Sequence, residues 1–400
     1  MADARDALIT GIGLLSSLGE GPEAHWQALN EAGGFRPRVD KERFAPFIVH
    51  PIGPVALDSQ IPKKGDQRQM EPWQRIGTYA AGLALDSAGV KGDRALLARM
   101  DMIVAAGGGE RDYATDEALL AALSHAEHPA SLLNERLMAD LRPTLFLAQL
   151  SNLLAGNISV VHGVVGSSRT FMGEEAAGAD AVRTASARIA AGQGEIFLVG
   201  GSLNAERPDL LAEYEMGRLL LQGDYAPIWD RQARGGGLVL GSLGCFLVIE
   251  SRAHAERRGA HAWAKIASIA TERCRRAAGE ATANALRSLA PLRPSLDRAS
   301  AAVISGASGV PAPTREERLF LETLGLPSRA TASALGHSLE PSFPASLALA
   351  AIALAKRRLF APLEASEAPM EADLRQVLVT SWGHWRGEGL ALLEAEQEAR

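Results

Sequence analysis

Two adjacent carboxylates in the segment SSRTFMGEEAAGADAV have chemical potential. Glu174 and Glu175 fall where a short apolar run gives way to an alanine-rich helical pattern. The unpaired amides at a helix N-terminus favour an anion by about 0.3–1 kcal/mol, and by about 2 kcal/mol when it is partly buried. Ordinary capping by acidic side chains explains the pair equally simply, and composition alone favours it. A second candidate is LGHSLEPSFP, where His337 follows a glycine just before another helical pattern; taken by itself it reads as a hydrogen-bonded core histidine. Cys274 sits among arginines at the start of a helical stretch, where a thiol pKa can fall, but no base is positioned beside it. Cys245 lies inside an apolar strand pattern. The nine histidines show no metal-ligand spacing and there is no C-x-x-C, so no metal site is expected. GIGLLSSLG departs from the G-x-G-x-x-G spacing of a dinucleotide loop and reads as a tight turn, and G-x-S-x-G is absent. No cofactor is expected.

These residues need elements to hold them. Short apolar runs bounded by glycine, at Ala7–Ile12, Met100–Gly109 and Glu195–Ser202, have the pattern of strands buried on both faces. Helical spacing covers Pro22–Leu29, Gln74–Ala88, 113–140, Thr144–Ala155 and Glu174–Ala191. Gly236–Glu250 reads as one long strand with a glycine kink. The same grammar then restarts: strands at Ala262–Glu272 and Ala301–Ser308, helices at 276–290, 314–325 and Pro344–Lys356, then QVLVTSWG and a glycine-led last strand. Strands alternating with helices predict an α/β fold with mostly parallel sheets covered on both faces, and the restart suggests two similar halves, residues 1–250 and 251–400.

Composition narrows the class. Of 400 residues, 47% are apolar and 22% charged, which fits a large buried core and excludes a disordered chain. Two cysteines exclude a disulfide scaffold, and a formal charge of −6 argues against a nucleic-acid partner. The longest uncharged stretch, Pro143–Val161, carries too many polar groups for membrane insertion, and MADARDAL has no basic region of an export signal. A cytoplasmic location is expected.

Five segments, collinear over essentially the whole chain, resemble β-ketoacyl-acyl-carrier-protein synthases of the thiolase fold. They are ALITGIGLLSSLG, QRQMEPWQRIGTYAAGLAL, LSNLLAGNISVVHGVVGSSRTF, GADAVRTASARIAAGQGEIFLVGGS and PIWDRQARGGGLVLGSLG with AHAERRGA. The resemblance implies two αβαβα halves in a five-layer sandwich, and a dimer paired through the strand like SSRTF. It also implies an acyl carrier protein as partner, with Lys63, Lys64 and Arg68 matching the family's basic docking stretch in part. A solvated loop explains these three equally well.

Against the family pattern, the nucleophilic cysteine position is held by Glu175 and the first histidine position by Ser305, in SGASG. Ala332 stands where a lysine is usual, and only His337 survives. The glycine-rich gating loop is represented by SWGHWRGE, with Gly383 kept and His384 and Trp385 substituted. A carboxylate would have to form a mixed anhydride from a thioester, an uphill exchange, and its pKa of about 4.3 against about 8.5 for a thiol marks the weaker nucleophile. The resemblance therefore implies a chain-length-factor-like subunit paired with an active synthase, with Glu175 as a plug whose carboxylate accepts the helix amides. GDQRQMEPWQR, RPTLFLAQLSNLLAGN and SSRTFMGEE are most similar to alphaproteobacterial synthase-like proteins serving very-long-chain acyl groups of lipid A. Two alternatives stay open: a malonyl-carrier-protein decarboxylase or residually active synthase, and a homodimeric acyl-binding scaffold.

Overall fold

The glycine-bounded apolar runs become strands buried on both faces because helices cover each side of the sheets they form. The computed structural model describes residues 3–396 apart from 142–143, 275–276 and 386. The first half is built from β1 (Ala7–Ser16), α1 (Pro72–Ser87), β2 (Asp101–Ala105), α2 (Leu153–His162), β3 (Ser168–Phe171), α3 (Glu174–Ala190), β4 (Ile196–Leu203) and β5 (Leu243–Ser251). The second contains β6 (Ala264–Glu272), α4 (Glu280–Leu289), β7 (Ala301–Ser305), α5 (Pro311–Leu324), β8 (Ser328–Ala330), α6 (Ser342–Ala355), β9 (Gln376–Trp382) and β10 (Glu388–Glu394).

Across the first sheet the order is β3-β2-β4-β5-β1, and across the second β8-β7-β9-β10-β6, the same permutation of five strands. Parallel pairing links β3, β2 and β4, and likewise β8, β7 and β9. The fifth strand of each set, β5 or β10, runs antiparallel to both neighbours, so four strands of five share one direction. A short antiparallel contact between Ala7–Ile9 of β1 and Ala264–Ile266 of β6 joins the two sheets at their edges.

Helices α3 and α6 pack on each other and contact strands of both sheets, while α1 with α2 and α4 with α5 cover the outer faces. Five layers result, with the largest apolar cluster in the middle one. The sequence of α6, SFPASLALAAIALA, has no polar face, its two serines apart, and every side chain from Phe343 to Leu354 is buried. That is what a helix enclosed between two sheets requires.

Two segments depart from expectation. GIG is not a turn: Gly11 and Gly13 lie within β1, and a Cβ on either would stand 2.4 Å or 1.9 Å from the Ala84 or Ala80 carbonyl oxygen of α1. Glycine is needed there because the helix backbone rests directly on the strand. The single strand over Gly236–Glu250 is broken into Leu240–Gly241, which pairs with Val49–His50, and β5 from Leu243. The break has a structural use. A Cβ at Gly241 would meet the Leu335 carbonyl oxygen at 1.9 Å, so only glycine lets the 335–337 loop lie against it.

The helix Gly21–Leu29 is held to the sheet by His25, which is fully buried. Its Nδ1 donates to the Gly21 carbonyl at 2.8 Å and its Nε2 lies 2.8 Å from Ser16 Oγ. Burial lowers its pKa to about 4 from the usual 6.5, so the neutral ring contributes fully above pH 6.5 and less as pH falls toward 4. The stability gap between the wild type and His25→Asn should close by about 3 kcal/mol between pH 7 and pH 4. Urea unfolding across that range measures it, and a gap independent of pH would refute the neutral-histidine account.

Candidate functional site

The site begins where β3 turns into α3. Gly173 has φ 128° and Glu174 takes a left-handed φ of 57°, a conformation that costs a non-glycine residue about 1 kcal/mol or more. This sharp entry brings Glu175, at the second position of α3, into the interior with 1% of its surface exposed.

Two other segments meet it. His337 lies in the loop that Gly241 accommodates: its amide donates to the Val239 carbonyl at 2.8 Å, and its carbonyl accepts from the Gly241 amide at 3.0 Å. His384 lies in the connection between β9 and β10, where the Gly383 amide donates to the Gly387 carbonyl at 2.9 Å. His337 Nε2 stands 2.7 Å from Glu175 Oε1, and His384 Nδ1 stands 2.8 Å from the same oxygen. The His384 amide donates to it as well, at 3.2 Å. The second oxygen, Oε2, is buried without a hydrogen-bond partner among the described residues.

Burial is the largest single influence on Glu175 and pushes its carboxyl upward. The charge of His384 and the hydrogen bonds of both imidazoles together outweigh it and hold the group well below the usual carboxylate range. Two further glutamates border the cluster. Glu174 Oε1 lies 3.5 Å from His384 Nε2, and the Glu174 amide donates to Glu340 Oε1 at 3.3 Å. Burial raises both of these carboxyls to about 7. The Tyr214 ring lies beside His384, with centroids 5.5 Å apart.

The fold thus joins Glu175 to His337 and His384, and corrects one expectation: the carboxylate's acceptor bonds go to these histidines, not to the amides of its own helix. Hydrogen bonds from imidazoles that share charge with a carboxylate are stronger than those from neutral amides, which gives the buried side chain its direction. Ser305, at the end of β7, faces elsewhere. Its hydroxyl donates to Glu317 Oε1 at 2.6 Å, and Thr380 Oγ1 donates to the same oxygen at 2.5 Å. Ala332 is buried and lines, with His337, Thr331 and Leu335, a cavity of about 10 Å³, room for one water at most.

Trp385 packs its ring 5.7 Å from that of His384 yet is mostly exposed. Lys63, Lys64 and Arg68 lie at the surface, apart from this buried cluster, and Lys64 pairs with Asp58 at 2.6 Å. Sequence reasoning placed Glu174 beside Glu175 at the head of the helix, missed Glu340 as a neighbour of the site and read His384 only as part of a loop. The carboxylate three residues after His337 in LGHSLE was the available signal.

Residues 4–255 match the family description "Beta-ketoacyl synthase, N-terminal domain". The chain is 27% identical over 269 residues to "3-oxoacyl-[acyl-carrier-protein] synthase 2" of Vibrio harveyi, covering 66% of this chain and 61% of that protein. It is 30% identical over 277 residues to "Actinorhodin polyketide putative beta-ketoacyl synthase 2" of Streptomyces coelicolor, covering 66% of this chain and 63% of that one. The matched region is therefore less than two thirds of these relatives' length. The solved structure "The ishigamide ketosynthase/chain length factor" superposes with a TM-score of 0.77 at 21% identity, over 98% of this chain and 100% of that one. This likeness shows the thiolase-like fold.

Proposed function

The chain belongs to the β-ketoacyl synthase family, and on that premise we propose that it is a condensation-inactive, chain-length-factor-like subunit that pairs with a catalytically competent synthase of the same fold. One observation carries this reading: the first buried side chain of α3 is a carboxylate already engaged by His337 and His384. A thioester entering this site would find no sulfur to receive the acyl group, and both imidazoles committed to Glu175. A malonyl group would meet a carboxylate held anionic, which disfavours the decarboxylase alternative.

The partner would pair through β3. It is the outer strand of its sheet, and the carbonyls of Ser167 and Phe171 face β2 by accepting from Met102 and Ala106. The alternate residues Ser168 and Thr170 consequently turn their backbone groups toward the open edge, with Val165 and Met172 exposed beside it. Such an edge pairs readily with another strand. The acyl carrier protein remains the expected second partner, by way of Lys63, Lys64 and Arg68. The runs GDQRQMEPWQR, RPTLFLAQLSNLLAGN and SSRTFMGEE support a role as a partner in extending very long acyl chains.

The test is to express the protein alone and with a homologous synthase, then assay condensation and malonyl decarboxylation separately. Activity confined to the mixed complex supports the proposal; condensation by the isolated chain would overturn it. Val165→Asp with Met172→Asp should weaken co-purification with the synthase at least about thirtyfold while leaving the thermal midpoint unchanged. Undiminished pairing would place the interface elsewhere.

A further inference from the structure

We propose that Glu175, His337 and His384 form a binding site for one divalent first-row transition metal ion, of which zinc is the probe. Ligand spacing along a chain reveals only ligands that lie close in sequence. These three are 162 and 209 positions apart and meet only through the fold. Glu175 Oε1, His337 Nε2 and His384 Nδ1 all lie within 4.8 Å of one another, and all three side chains are buried. Two imidazoles and a carboxylate make a donor set suited to zinc, cobalt or ferrous iron.

Metal–ligand distances of about 2.0–2.2 Å place tetrahedral donors about 3.3–3.5 Å apart. The two contacts at 2.7 and 2.8 Å would open by about half an ångström, and the two imidazole nitrogens, which lie within 4.8 Å of each other, would settle to the same spacing as the ion binds. The protons now shared with Glu175 leave His337 Nε2 and His384 Nδ1, either to the opposite ring nitrogens or to solvent, as the metal takes the freed lone pairs.

Independent features point the same way. Glu175 Oε2 is buried with no hydrogen-bond partner among the described residues. Unpartnered carboxylate oxygens in a closed site are costly unless a cation answers them. His384 Nε2 faces Glu174 Oε1 at 3.5 Å. With the metal on Nδ1, this carboxylate would receive the remaining N–H, the arrangement that orients metal-bound histidines. Glu174 is then a positioning residue. This inference does not depend on the chain being catalytically inactive.

The whole protein, stripped with chelator and buffer-exchanged, should take up one equivalent of zinc by calorimetric titration, with a higher thermal midpoint. The cobalt form should show the intense visible bands of a four-coordinate ion. His384→Ala and His337→Gln should each lower zinc affinity at least a hundredfold. Glu174→Gln should lower it about tenfold. The exposed pair His125→Ala with His128→Ala should bind as the wild type does. The proposal is overturned if the wild type retains no zinc, or if the His384 and His337 variants bind it undiminished. Since either variant can fail to fold, the cobalt spectrum of the wild type decides independently: an octahedral, solvent-like spectrum also overturns it.

Discussion

Purified without a partner, the protein is expected to join acyl and malonyl groups at least about a millionfold more slowly than a cysteine-bearing synthase, and Glu175→Cys should not restore the reaction. The wild-type deficit follows from exchange chemistry. Acyl transfer from thioester to thiol is close to isoenergetic, whereas transfer to the Glu175 carboxylate would form an anhydride. The variant fails for geometric reasons. A cysteine side chain ends two bonds short of the oxygen that now meets His337 and His384, so the sulfur falls out of reach of both rings. Ser305 cannot stand in for a histidine donor, because its hydroxyl is spent on Glu317. Ala332 brings no cation to the site. Intact-mass spectrometry after incubation with acyl-carrier protein, beside a condensation assay, checks both parts. A covalent acyl adduct on the wild-type chain, or turnover by the isolated Glu175→Cys protein, would sink the account.

His337→Ala should cost about 3–5 kcal/mol of folding stability in chelator-treated protein, because it leaves a buried anion with half its imidazole partners. Glu175 is 1% exposed and His337 equally so, which leaves water no access to replace the lost bond. Glu175→Gln in the same background should recover part of the loss by removing the charge, giving a coupling of about 0.5–3 kcal/mol in a double-mutant cycle. Urea denaturation of the four proteins at neutral pH provides the cycle. A loss below about 1 kcal/mol for His337→Ala, against the range expected of a broken buried pair, would mean that the carboxylate is not held as described.

Much of the architecture was legible along the chain because its signals are local. The apolar run at Ala7–Ile12 lies in a buried strand, that at Glu195–Ser202 in another but for its first residue, and the helical spacing at Glu174–Ala191 matches α3 to within one residue. The stretch after Pro344, apolar but for Ser346, lies in the central layer, since no other environment suits a helix without a polar face. Glycines were harder to interpret. Gly11 and Gly13 serve close approach by a helix that begins some sixty residues later, so nothing adjacent to them in the sequence distinguishes that use from a turn.

The site divides in the same way. That a carboxylate occupies the head of α3, and that a histidine follows Gly336, are facts of the amino-acid sequence alone. That Glu175 is answered by His384, that Ser305 turns to Glu317, and that Glu174 and Glu340 crowd the cluster were decided by the tertiary structure. Periodicity and propensity act over a few residues, whereas this constellation forms only when two stacked sheets bring the start of α3, the loop before α6 and the turn after β9 to one point. There, burial makes every unanswered charge expensive, and the partners that answer it are chosen by proximity in space.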